Sequence, residues 1–511
     1  MTPRTAPQHS LPLWAACLAA VAGGILLDAA FPDRDVWALA VPSILVALVI
    51  AKGRRLGGAM LVGSLFGWSF YGVHIHWATE FLGVVPWMAL TTLMSLWWGG
   101  GTVLIALAYR WIPRVWPGIL ARLLFLPAVV AGLWTLREGV ASVWPYGGFA
   151  WGRVALSQSE SPIAGLFSLV GVAGVSFLLV WLAAVALEAI EEVRVSRLVR
   201  ATLVAAVATG LVAAPAWPIA IEGGLRVAAV QGNAKAGYFD PPERTGDNLG
   251  DQVEASIPVL DDDVDVVIWP EGGSDLDPLR VPAAARVFDE VSRAAGAPLV
   301  AGTVTMRGEQ YFNTSLVWRD GEGAVDFYDK KHPVPFGEYI PDRAFWRPFA
   351  PDLIDLVQRE YTPGTTDTVA RIGEVLVGLD ICFDIVDDRI MRRSVAEGAQ
   401  VLVAQTNNAD FGQTDESRQQ LAIARIRAME LGRSLVSVST VASTAVIRAD
   451  GSTQAALPDF EPGALVEDVP LSTTTTPAAL LGGQLEWLLA LGGLGALAVA
   501  GVVLRGRRRA G

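Results

Sequence analysis

Eight apolar stretches decide what this chain can fold into. Seven precede residue 222, at about 11–31, 36–51, 57–77, 84–108, 123–142, 163–187 and 199–220, and one follows at about 480–504. Roughly 20 apolar residues in a helix cross the hydrocarbon of a bilayer. Most of the stretches reach that length, and 36–51 is the shortest. Buried core helices are the competing reading, but a soluble core has no use for eight of them. The first run is longer than the ~7–15-residue core of a secretory signal, and more spans follow it, so it reads as a span.

Lys and Arg orient the bundle, because basic loops stay on the cytoplasmic side. Arg4 precedes span 1. Lys52, Arg54 and Arg55 join spans 2 and 3; Arg110, Arg114 and Arg122 join spans 4 and 5; Arg194, Arg197 and Arg200 join spans 6 and 7; the chain closes on "RGRRRAG". The alternate loops hold Arg34, nothing basic in "TEFLGVVP", and Arg153. This pattern predicts a multi-pass cell-membrane protein with both termini in the cytoplasm and the segment after span 7 outside it. The expected organisation is a membrane domain over 1–222, an extracytoplasmic domain over 223–470, and a last span with a basic tail over 471–511.

Residues 225–468 read differently. They carry nearly all the Asp and Glu of a chain whose formal net charge is −12. No basic face appears there, which argues against a nucleic-acid partner. Only two cysteines exist, Cys17 in the first apolar run and Cys382 in the middle domain, so neither a disulfide nor a multi-Cys metal site is expected. Strand-like runs fall at 225–232, 264–271, 297–304, 311–318, 323–330, 374–383, 399–406, 434–440 and 443–451. Helix-like stretches lie at about 243–258, 279–295, 385–397 and 415–432. Strands alternating with helices predict a layered α/β module.

Three polar residues end three of these strands: Glu271 after "VDVVIWP", Lys330 after "GAVDFYD", and Cys382 after "EVLVGLDI". Residues just past strand ends converge on one edge of an α/β sheet. An acid, a lysine and a cysteine brought together there form a catalytic set. The carboxylate can serve as base for the thiol if burial raises its pKa, and the lysine can lower the thiol pKa and hold an oxyanion. A backbone N–H near Phe383 is a second candidate donor. Taken singly, each residue also fits a bland role: a turn glutamate, a surface lysine, a core cysteine. The module's one histidine, His332, argues against a Cys-His dyad, a Ser-His-Asp triad and a His-based zinc site.

The motifs around these residues carry a resemblance. "IWPEGG", "YDKKHPVPFGEYIP" and "GLDICFD" resemble, in the same chain order, the Glu, Lys and Cys segments of the nitrilase (carbon–nitrogen hydrolase) superfamily. Seven spans, such a module and one last span resemble the layout of the apolipoprotein N-acyltransferase family. "VPFGEYIP", "AVQGN", "RIRAMELGR" and "STAVIRADG" are similar to that family's own segments. The resemblance implies a polytopic helical membrane domain plus an αββα sandwich. It implies Glu271 as general base, Lys330 rather than Lys331 as the catalytic lysine, Cys382 as nucleophile, and Glu338, eight residues after Lys330, as a further required glutamate. Phe383 and Asp384 stand where the family often has Tyr and Glu. "TNNADFG" departs from the usual "NDAWFG", and Tyr238 or Phe239 is the aromatic nearest to an expected tryptophan.

The activity so implied is acyl transfer from a membrane phospholipid, through a Cys382 thioester, to the N-terminal amine of a diacylglyceryl-cysteine lipoprotein, with no metal or cofactor. Tethers at both ends would hold the module near the bilayer. The aromatic segment "RAFWRPFAPDLIDL" (343–356) is a candidate membrane-contacting loop, and the Gly- and aromatic-rich 137–152 a candidate lipid path. Two rival readings use the same residues. One is a membrane-anchored amidase with water as acceptor; the other is a non-enzymatic scaffold with a decayed hydrolase module. A transporter fits less well, since only His74 and His76 mark the spans as polar.

Overall fold

The computed structural model describes residues 11–237 and 242–510. Arg4, Tyr238 and Phe239 lie outside the described residues. The chain divides into two compact units. One holds residues up to Thr79, Val84–Pro215 and Leu481 onward; the other holds Glu80–Gly83 and Ala216–Leu480.

The first unit is helical. Its elements are α1 (Leu13–Asp28), α2 (Ala40–Ala51), α3 (Leu56–His74), then the short α4 (Ala78–Leu82) at its border, α5 (Val84–Val115), α6 (Leu126–Ala141), α7 (Phe167–Glu191) and α8 (Arg197–Ala213). The chain returns to this unit through the C-terminal helix Pro477–Ala510. Every expected span is a helix. Five are long and apolar enough to cross a membrane by length and composition: Leu56–His74, Val84–Val115, Ala121–Ala141, Ala164–Glu191 and Pro477–Arg509. Leu13–Asp28 and Trp37–Ala51 are shorter apolar helices. The expected run 199–220 is helical only over its first part, because Pro215 and Pro218 cannot continue the ladder.

The C-terminal helix packs on α6 with the two backbones nearly touching. A Cβ on Gly132 would lie 2.6 Å from the Leu489 carbonyl oxygen, and one on Gly493 would lie 2.9 Å from the Gly132 carbonyl carbon. In a membrane, where apolar side chains gain nothing by leaving lipid for each other, small residues of this kind let dispersion hold two helices together. Charge adds to it. Arg137 meets Glu138 at 3.1 Å, Trp134 Nε1 donates to Glu138 Oε1 at 2.8 Å, and Arg153 meets Glu486 at 3.2 Å. The Arg137 guanidinium also lies 4.1 Å from the Trp98 ring centre.

The basic loops converge on one end of this bundle. Lys52 pairs with Glu188 and lies 2.8 Å from Glu191, while Arg122 reaches Glu188 at 2.9 Å. Arg110 donates to the Arg54 carbonyl at 2.5 Å, and Arg507 donates to the Arg114 carbonyl at 3.2 Å. The acids closing α7 thus gather cations from loops far apart in the chain.

The second unit is a two-sheet sandwich. One six-stranded sheet has the order β12-β1-β2-β3-β4-β5 and the other β11-β10-β9-β8-β7-β6. The first holds β1 (Gly224–Gln231), β2 (Val266–Ile268), β3 (Leu299–Arg307), β4 (Gln310–Arg319), β5 (Gly323–Asp329) and β12 (Gly463–Pro470). The second holds β6 (Val369–Ile372), β7 (Val375–Ile381), β8 (Val401–Thr406), β9 (Leu435–Ser439), β10 (Ala445–Ile447) and β11 (Thr453–Ala456). Val227, Ile268, Val300, Leu379, Val403 and Val436 are among the residues that fill the space between the sheets. The helices α9 (Asp247–Ser256) and α10 (Pro282–Ala295) cover the outer face of the first sheet, and α13 (Asp388–Ala396) and α14 (Glu416–Leu431) that of the second. This is the expected αββα arrangement.

Local chemistry explains the elements. α10 starts with Pro282 in its first turn, where a missing N–H costs nothing. It buries Ala284, Phe288, Val291 and Ala295, one stripe at helical spacing, and stops at Gly296 in the left-handed conformation. The central strands β1, β2, β7, β8 and β9 are rich in apolar residues and almost wholly buried because both faces are covered. The expected strand 264–271 ends at Ile268, since Pro270 has no N–H for the ladder. Strands β6, β11 and β12 escape the sequence pattern. All lie at or beside sheet edges, and β11 and β12 are partly exposed.

Candidate active site

Glu271, Lys330, Glu338 and Cys382 come together at one edge of the two sheets. Glu271 sits three residues past β2, on a backbone that crosses close above β3. A Cβ on Gly302 would lie 2.3 Å from the Pro270 carbonyl oxygen and 2.6 Å from the Glu271 Cα, so only glycine permits the crossing. Lys330 follows β5 directly, its N–H donating to the Asn313 carbonyl at 2.9 Å. Its ammonium is fully buried and lies 3.3 Å from Glu271 Oε1 and 2.9 Å from Glu338 Oε1. Lys331 points elsewhere, to the Thr366 carbonyl.

Asn313 on β4 completes the cluster. Its Nδ2 donates to Glu271 Oε1 at 2.6 Å and to Glu338 Oε1 at 3.2 Å. The other oxygen of Glu271 accepts from the Asn407 N–H at 2.8 Å, and that of Glu338 from the Val334 N–H at 2.6 Å. The altered segment "TNNADFG" therefore still supplies a donor to Glu271.

Cys382 follows β7 and opens a turn of 3₁₀ helix. Its φ of +52° places it in the left-handed region, which a residue with a side chain occupies only where its surroundings hold it. The thiol is half-buried and unpaired. Gln420 Nε2 approaches Sγ at 3.8 Å.

Charge and burial set the protonation states. Burial raises the Glu271 carboxyl pKa, opposed by the Lys330 charge and by the bonds from Asn313 and Lys330. Burial alone would lower the Lys330 pKa, but Glu271 and Glu338 outweigh it and hold the ammonium charged. The Cys382 thiol is pushed well up by burial and then by Glu271, with Lys330 pulling only partly the other way. The expectation that lysine would lower the thiol pKa is thus met in direction and outweighed in total. Cys382 therefore rests as a thiol, not a preformed thiolate.

Phe383 and Asp384 lie in the turn behind Cys382. Phe383 is buried edge-on against His332, with ring centres 5.3 Å apart. Asp384 accepts from Tyr328 Oη at 2.6 Å, from the Lys331 N–H at 3.1 Å and from the His332 N–H at 2.7 Å. It ties the nucleophile turn to the lysine strand, and burial, opposed by those bonds, leaves its pKa at about 6. Asn313, Asn407, Glu416 and Gln420 escaped sequence reasoning. An asparagine inside the strand run "YFNTSLVW" was the one readable signal.

In the loop 343–356, α11 (Arg343–Trp346) and α12 (Pro351–Ile354) are single turns. Trp346 packs on Phe336 with ring centres 5.7 Å apart, while Phe345 and Phe349 are exposed.

A two-sheet αββα module with a Glu-Lys-Cys set at its edge defines a carbon–nitrogen hydrolase domain, and residues 226–478 match the family description "Carbon-nitrogen hydrolase". Residues 23–185 match "Apolipoprotein N-acyltransferase N-terminal domain". A protein named apolipoprotein N-acyltransferase from Mycolicibacterium smegmatis is 31% identical over 94% of this chain and 84% of its own. One of the same name from Shewanella oneidensis is 29% identical over 91% of each. The chain belongs to the apolipoprotein N-acyltransferase family. Among solved structures, an amidase from Nesterenkonia sp. is similar at 20% identity and a TM-score of 0.38, covering 50% of this chain and 93% of that one.

Proposed function

We propose that this membrane enzyme moves an acyl chain from a phospholipid to the N-terminal amine of diacylglyceryl-cysteine lipoproteins, with Cys382 as the relay. The observation that carries this reading is the buried Lys330 held between Glu271 and Glu338 beside a strained cysteine. Its family relatives are N-acyltransferases by name, which supports lipoprotein N-acylation as the overall activity.

In the first half-reaction Glu271 takes the thiol proton as sulfur attacks the ester carbonyl. Because the thiol pKa is raised, proton removal and attack proceed together. Lys330, with a backbone N–H of the Phe383 turn, stabilises the oxyanion. The glycerol oxygen leaves with the proton from Glu271, and a thioester remains on Cys382. In the second, the lipoprotein amine attacks the thioester, Glu271 takes a nitrogen proton, and the C–S bond breaks to return the thiol. Glu338 and Asn313 hold Lys330 and Glu271 in register throughout.

Five helices long and apolar enough to cross a membrane support a membrane position for the chain. The convergence of the basic loops supports a cytoplasmic position for that end of the bundle and an extracytoplasmic position for the catalytic module, which follows α8. The exposed Phe345 and Phe349 support lipid contact by the loop 343–356.

Intact-protein mass spectrometry on the full chain mixed with phospholipid tests the reading. A hydroxylamine-labile acyl adduct on wild type, absent from Cys382→Ala, is expected. No adduct on the folded wild type removes phospholipid as donor and favours the amidase reading.

A further inference from the structure

Glu416 is a buried carboxyl beside Cys382 that the reaction above does not use. It opens α14 and is 2% exposed. Its Oε2 has no hydrogen-bond partner among the described residues. It lies close enough to Cys382 and Glu271 for charge to act between them. Gln420, one helical turn along, reaches Sγ at 3.8 Å, and a spacing of four residues puts Glu416 on the same face of α14. The cation of α14 nearest in the chain to be fully buried, Arg427, is committed to Asp388 and Glu430. A buried carboxyl oxygen without a donor costs about 1–3 kcal/mol, and such a group calls for a partner that arrives during function.

The proton count of the second half-reaction names that partner. An α-amine has a pKa of about 7.7–8.0, so the acceptor reaches the enzyme largely as an ammonium, which cannot attack. Forming the amide from it releases two protons from nitrogen. One passes through Glu271 to the departing sulfur. The other needs a second base. We propose that Glu416 receives the α-ammonium of the lipopeptide acceptor, takes one proton from it, and aims the neutral amine at the Cys382 thioester.

Atoms balance on this scheme. The ammonium gives a proton to Glu416, and the amine forms the C–N bond. Glu271 takes the remaining nitrogen proton as the tetrahedral adduct collapses, and the C–S bond breaks. Glu271 then protonates the sulfur, and Glu416 loses its proton to water. Burial and the neighbouring Glu271 raise the Glu416 pKa to about 8, close to that of the amine; most of the free enzyme holds Glu416 protonated at pH 7, and the arriving ammonium, an opposite charge, favours the carboxylate form that accepts its proton. The proton therefore moves between sites of similar affinity, the condition for efficient general base catalysis. A site for a primary ammonium also explains selection of an N-terminal amine over water.

The proposal rests on the acyl-transfer reading, and its test separates the two. Full-length wild type, Glu416→Gln and Glu416→Asp are acylated with phospholipid. They are then chased with a diacylglyceryl lipopeptide or with hydroxylamine, an amine uncharged at neutral pH. Rates are counted per acylated site, so unfolded protein drops out. For Glu416→Gln at pH 7, the ratio of lipopeptide transfer to hydroxylamine discharge is expected to fall about tenfold or more, with partial recovery in Glu416→Asp and at pH 9. An unchanged ratio overturns the assignment while leaving the acyl-transfer reading intact. A parallel loss of both chases makes Glu416 a structural residue and also overturns it. Absence of any thioester on wild type overturns both.

Discussion

Replacing Asn313 by Leu tests whether the geometry around Glu271 sets the protonation of the base. Leu keeps the γ-branched outline of Asn, is somewhat bulkier, and removes the amide. Glu271 then loses the 2.6 Å bond from Nδ2 and keeps the contacts from Lys330 and the Asn407 N–H. A hydrogen bond to a charged group contributes about 1.5–3 kcal/mol. That bond favours the ionised carboxylate, so its loss raises a pKa that burial already raises. At about 1.4 kcal/mol per unit, the shift is roughly 1–2 units upward. The base must be ionised to accept the thiol proton, so the acid limb of thioester formation moves to higher pH by that amount. Single-turnover acylation of Cys382, followed by mass spectrometry between pH 5 and 9 on the full chain, reads the limb directly. A rate lost equally at all pH values, or a limb that does not move, would refute the argument and reduce Asn313 to a packing residue.

Other expectations follow from neighbouring contacts. Lys330→Met removes an oxyanion partner and leaves Glu271 and Glu338 sharing a proton; thioester formation is expected to fall about 100- to 1,000-fold, while thermal unfolding shows the protein still folded. Gly302→Ala forces a Cβ onto the Pro270 carbonyl; a loss of about 1–3 kcal/mol in stability with slower acylation is expected, and a fully active, equally stable variant would contradict the close crossing. Asp380 on β7 is buried with neither carboxyl oxygen partnered among the described residues, and burial pushes its pKa well up. An acid raised in the folded state holds its proton while the unfolded chain releases it near pH 4. Wild type therefore loses stability as pH rises from there toward the folded pKa, up to about 1.4 kcal/mol per unit. Asp380→Asn escapes that loss, so its melting temperature relative to wild type should climb between pH 4 and 7, and a constant difference would show that Asp380 is ionised.

What could be read in advance was what depends on neighbours along the chain. The spans were legible because lipid demands about 20 apolar residues whatever the fold. The central strands and α14 were legible from runs and spacing, and Glu271, Lys330 and Cys382 from their places after strands. The short or partly exposed edge strands β6, β11 and β12 were not, because an edge lacks the two-sided burial that makes an apolar run; β5, also an edge, was readable from its run 323–330.

The sequence by itself determined a membrane bundle, an α/β module and a Glu-Lys-Cys set, since hydrophobic length, periodicity and residue chemistry are local properties. Tertiary structure alone decided which charges meet. Asn313 touches Glu271 across 42 positions, the Asn407 N–H does so across 136, and Gln420 reaches Cys382 across 38. Those contacts determine whether the thiol is ionised and where a proton can go. Burial and electrostatics act through space, so no window along the chain contains them.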